Sequence, residues 1–116
     1  MRHVWMLGAL ITVALAVGCA SQPPLRTESS ASAIRAAEEV GASEIPRASL
    51  HLQLAKEELD RAKGLADRGE KDEAASQLLR AEADAELAVV LSREQTEKTE
   101  ASQAMERVRQ LQTDNR

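Results

Sequence analysis

Apolar residues change their spacing along this chain, and each change marks an element. Val4–Val17 is an uncharged apolar run of 14 residues. From Ser32 to Val40, the positions Ala33, Ile34, Ala37 and Val40 recur three and four apart, which predicts an amphipathic helix of about three turns. Ile45, Ala48, Leu52, Ala55, Leu59, Ala62 and Ala66 then alternate gaps of three and four, a coiled-coil type of seam. Leu50, Leu54 and Leu65 widen that stripe on its flanks. Ala74, Leu78, Ala81, Ala85 and Ala88 repeat the seam. Arg93–Glu100 has no large apolar residue, and a weaker stripe returns at Ala101, Ala104 or Met105, Val108 and Leu111.

The breaks between these runs carry helix-stop and helix-start residues. Gly41 suits the position just past a helix end. Pro46 is comfortable in a first helical turn and drives Ile45 into an extended conformation. Arg68-Gly69 ends the second helix, and Glu70, Asp72 and Glu73 crowd the start of the third, where the helix dipole favours acids. So short a connection between long helices forces them antiparallel. A seam made mostly of alanine lets the axes approach the close end of the usual 8–10 Å, and Gly64 is expected to help. The cost is a thin core that needs helix one as a third layer and has no room for a ligand pocket. Run to about Thr113, the third helix is about 65 Å long, and the second covers only its first half.

The expected fold is therefore all-α: an antiparallel helical hairpin or small three-helix bundle with a long C-terminal helix, after a signal peptide. The expected divisions are a signal in 1–18, a flexible Ser/Pro-rich spacer in 19–31, the helical domain in 32–92 and a projecting helix in 93–116. The projecting part reads either as a frayed polar helix or as a docking or self-association helix.

Charge and composition narrow the function. The chain carries a net charge of −4, and removal of residues 1–18 takes Arg2 with it and leaves the rest more negative. A binder of nucleic acid needs a basic face, so that class is not expected. Trp5 is the only aromatic residue, so residues 19–116 offer no stacking platform and no aromatic interface anchor. His51 is the only histidine after residue 18 and falls beside Leu50 and Leu52 with no second histidine or thiol for a triad or metal site. It reads as a structural histidine. Pairs such as Lys56–Asp60, Glu57–Arg61 and Glu94–Lys98, at helical spacing, read as solvated-face pairs. No catalytic residue, cofactor or metal ligand is expected, and the protein is not expected to be an enzyme.

The first 25 residues read as an address. Met1-Arg2-His3 is a short positive region, and 14 apolar residues suit a signal core but fall short of the about 20 that a membrane span needs. Leu15-Ala16-Val17-Gly18-Cys19 resembles a lipobox, with Ala16 where Leu is most usual. That resemblance implies cleavage between Gly18 and Cys19 and lipidation of Cys19 with fatty acyl chains such as palmitate, several of which anchor stably where one does not. Ala20-Ser21, with no Asp after the cysteine, resembles the outer-membrane-directed kind. Counted to Ala20, the apolar run stretches toward a span, and an uncleaved signal anchor stays open as the alternative.

The span from Ala36 to about Arg93 resembles the domain of unknown function 4398 family of short, alanine-rich bacterial lipoproteins. The loop Gly41-Ala42 to Pro46 carries the likeness, with Leu52, Ala55, Glu58, Leu59 and Ala62. It continues through Gly69-Glu70, Glu73-Ala74, Ala81 and Asp84-Ala85-Glu86-Leu87-Ala88. The resemblance implies a helical hairpin or small bundle and no common activity; some members carry an added peptidoglycan-binding domain.

The expected function is a lipid-anchored envelope module on the periplasmic side of the outer membrane, non-catalytic, structural or adaptor in role. Its partners would be the membrane through Cys19 and an envelope protein or a second copy through residues 93–116. A non-covalent peptidoglycan tether is the second reading. Covalent attachment through a terminal lysine is not expected from Thr113-Asp114-Asn115-Arg116.

Overall fold

A computed structural model of the chain describes residues 25–116. Gly18, Cys19, the signal and residues 19–24 of the expected spacer lie outside the described residues. The described chain forms α1 (Glu28–Glu39), a 3-10 turn (Ala42–Glu44), α2 (Pro46–Asp67) and α3 (Lys71–Asp114). The all-α hairpin with a long C-terminal helix is what the structure contains.

The two glycines at helix ends make the turns. Gly41 has φ +74° and Gly69 has φ +81°, in the left-handed region that a side chain disfavours. At the α2 end, the Glu70 amide donates to the Leu65 carbonyl at 2.9 Å and the Gly69 amide to Ala66 at 2.9 Å. This paired pattern satisfies the last carbonyls of α2 and turns the chain back within three residues. Pro46 opens α2 and Ile45 is extended, as the sequence implies.

Antiparallel α2 and α3 meet along the alanine seam. Ala48, Leu52, Ala55, Leu59 and Ala62 are buried on α2, and Ala74, Leu78, Ala81, Ala85 and Ala88 on α3. Ile45 and Ala66, at the ends of the α2 stripe, are half-buried, while Leu50 and Leu54 lie on the flank with their tips in water. Leu91 and Ser92 carry the burial one turn past Ala88. The core has a third layer. Ile34 and Ala37 of α1 pack into the same cluster, with α1 parallel to α3 and antiparallel to α2.

Three expectations are corrected. The spacer does not reach residue 31, because α1 begins at Glu28. Ser30 is buried there and donates its hydroxyl to the Leu78 carbonyl at 2.9 Å, so a polar residue occupies the first position of the stripe that Ile34 and Ala37 continue. Gly64 does not serve close approach: a Cβ there would meet only Nη1 of Arg68, at 3.7 Å. Lys56 reaches across to Glu38 of α1 instead of Asp60, and Asp60 pairs with Lys63. Packing against α1 puts the Glu38 carboxylate within reach, an option that spacing within α2 does not reveal.

The bundle ends near residue 94. Arg93 is exposed, Glu94 half-buried, and every residue from Gln95 to Arg116 is exposed. The projecting helix expected in 93–116 is therefore present, continuous with the α3 of the bundle.

Candidate functional site

His51 lies on the flank of the α2–α3 seam, on the side away from α1. Its Nδ1 is 2.7 Å from Oδ1 of Asp84, with about a quarter of each side chain exposed, 27% and 24%. Glu58, two turns along α2, points at the same carboxylate. Burial raises the Glu58 pKa above its ordinary 4.5, and the charge and hydrogen bonding of Asp84 raise it further. Arg80 and Arg61 pull it partly back. One Glu58 oxygen and the side-chain oxygen of Gln77 are buried without a hydrogen-bond partner. The cluster is thus a polar clip across an alanine seam, with His51 holding one carboxylate and a second carboxyl crowded beside it. Among the described residues, no group of three His, Cys, Asp or Glu is placed to hold a metal ion.

Two shallow open grooves run along the α1–α3 junction. One, of about 580 Å³, lies between Ala33 and Ala36 of α1 and Val89 and Val90 of α3. The other, of about 440 Å³, is lined by Leu25, Leu78 and Leu79 with Arg26, Lys71 and Asp72 at its rim. Both are surface furrows along the line where α1 meets α3. They contain carboxylates and hydroxyls, Glu82, Glu86, Ser29 and Ser32, but His51 faces the other flank.

α3 carries a second apolar stripe that the sequence reading saw only in part. Val90 and Val108 are 18 residues apart, about five turns, and so lie on one line along the helix. Leu79, Ala83, Leu87, Ala101, Ala104, Met105 and Leu111 fall within about 60° of that line at about 100° per residue. All of them are exposed, and the buried seam Ala74–Ala88 lies on the opposite side of the helix. The missing signal was present in the spacing. Positions 83, 87, 90, 94, 97, 101, 104, 108 and 111 keep the alternation of three and four unbroken, with Glu94 and Glu97 in the middle hiding it.

The described residues contain no helix long and apolar enough to cross a membrane. Comparison with curated proteins and with solved structures gave no match. The family model of the domain of unknown function DUF4398 matches residues 27–104, from the residue before α1 to midway along the bare arm. By that match, the chain belongs to the DUF4398 family.

Proposed function

We propose that this protein is a cell-envelope lipoprotein, anchored in the outer membrane through Cys19 and presenting its helices to the periplasm as a non-catalytic structural or adaptor module. The observation that carries the reading is the small-residue run Leu15-Ala16-Val17-Gly18-Cys19 after an apolar segment, a few residues before a helical domain. A lipid on Cys19 would leave only a short link before α1, so the bundle would sit close to the membrane surface.

The geometry of the described part supports a scaffold. Its one histidine is committed to Asp84 across two helices, and its carboxylates lie on helix surfaces or in the same clip. Its distinguishing feature is reach. α3 extends about 30 Å beyond the bundle, counting the roughly 20 residues after Glu94 at about 1.5 Å each.

The test is intact mass and detergent-phase partitioning of the wild type against Cys19→Ser, expressed in a bacterial host. Loss of residues 1–18, added acyl mass and detergent partitioning, all abolished by the substitution, are the expected result. Two full-length, membrane-bound products would replace the lipoprotein with a signal-anchored protein. Cross-linking in cells from exposed positions on α3 tests the adaptor role, and recovery of free monomer at every position would remove it.

A further inference from the structure

We propose that two copies of this chain pair antiparallel through the outer face of α3, over Leu87–Leu111. The proposal is independent of where the protein resides. It rests on the second stripe: the exposed line of Leu87, Val90, Ala101, Ala104, Val108 and Leu111, which nothing among the described residues covers. Val90 is 59% exposed, Val108 54% and Leu111 57%. The stripe keeps one heptad phase from Ala83 to Leu111, about four heptads, which is the length at which such a pattern specifies a coiled coil. Its phase, though not its apolar run, continues from the bundle onto the arm through Glu94 and Glu97, so a partner would lie along both.

The order of side chains selects both the occupant and its direction. Laid against its own reverse with Val90 opposite Val108, the stripe sets Leu87 opposite Leu111, Glu94 opposite Ala104 and Glu97 opposite Ala101. Leu87, Val90, Val108 and Leu111 each meet another large apolar residue, and each glutamate meets an alanine small enough to let its carboxylate reach water. A parallel pair would instead stack Glu94 on Glu94 and Glu97 on Glu97 in the seam, where like charges repel. The rim works the other way. In the antiparallel pair Arg93 flanks Arg107, Glu86 flanks Asp114 and Glu100 flanks its own copy. These contacts are solvent-exposed and screened by salt, so association should strengthen as ionic strength rises.

Disulfide trapping tests the register directly. The full-length chain carrying Cys19→Ser, in detergent, is prepared with either Val90→Cys or Val108→Cys; both sites are exposed, and unchanged helicity verifies folding. Each variant is oxidised alone and after mixing and exchange. The expected result is a covalent dimer in the mixture only, in higher yield at 0.5 M than at about 0.05 M salt, and lost when Leu111→Glu is added to the Val108→Cys chain. A covalent dimer from Val90→Cys alone would overturn the antiparallel register, and absence of a dimer from the mixture would overturn the pairing.

Discussion

His51 of α2 and Asp84 of α3 meet at 2.7 Å on the flank of a seam built from alanine and leucine, a side-chain hydrogen bond between the two long helices. Replacing His51 with Ala leaves Asp84 beside Glu58 without its donor. The expected cost is about 1 kcal/mol, the usual net worth of a hydrogen bond, with more added by the uncompensated carboxylate. Asp84→Ala should cost less, because it also relieves Glu58 of a neighbouring charge. Urea denaturation of both single variants and the double variant measures the coupling, expected at about 0.5–1.5 kcal/mol. A coupling near zero would show that the two side chains are only neighbours.

Glu58 makes the opposite prediction. Its folded-state pKa lies above the ordinary 4.5, because burial and Asp84 both disfavour its charge. The native state therefore holds this proton more tightly than the unfolded state does. Stability from this group is least where both states are ionised and rises as pH falls through the folded value toward 4.5, then levels off. Glu58→Gln should raise stability at neutral pH, flatten the pH profile in that window and converge with wild type at pH below it. Denaturation midpoints at a series of pH values check the sign. A variant less stable than wild type at neutral pH would mean that Arg80 and Arg61 outweigh burial.

Legibility followed the apolar pattern and failed where polar residues hold apolar positions. The seam from Ala48 to Ala62 and from Ala74 to Ala88 was readable because Ala and Leu keep a strict period on both helices. Ser30 was not, since a serine before Ile34 reads as spacer until the Leu78 carbonyl that receives it is in place. Glu94 and Glu97 hid the outer stripe in the same way, breaking the run of apolar letters while keeping its phase. The bond of His51 to Asp84, 33 residues away, was not readable, because it depends on how α2 and α3 register.

The glycines of the hairpin separate into two kinds. Gly64 has helical geometry and only the Arg68 guanidinium in reach of an added Cβ, so Gly64→Ala should stabilise by about 0.5–1 kcal/mol through reduced unfolded-state entropy. Gly69 has open space around it but φ +81°, so Gly69→Ala should destabilise by about 1–2 kcal/mol from the left-handed conformation alone. Thermal melts of the two variants should therefore move in opposite directions. A stabilising Gly69→Ala would mean that the turn rearranges.

Ser30 and Ser92 are both fully buried, at 1% and 0% exposure, yet their hydroxyls do different things. Ser30 donates to Leu78 of another helix at 2.9 Å, 48 residues away, and so holds the start of α1 against α3. Ser92 donates to Ala88 of its own helix, four residues back, a local bond that competes with helical geometry. Ser30→Ala should cost about 0.5–1.5 kcal/mol and fray the first turn of α1, where Ser30 is the one buried residue before Ile34. Ser92→Ala should be neutral or stabilising by a few tenths of a kcal/mol, because alanine is the better helix former and fills the same space. Amide hydrogen exchange distinguishes the two: Ser30→Ala should raise exchange at Ala31–Ala33 with α2 unchanged, and Ser92→Ala should leave both alone. Equal losses for the two serines would mean that burial, and not the bond between helices, sets their contribution.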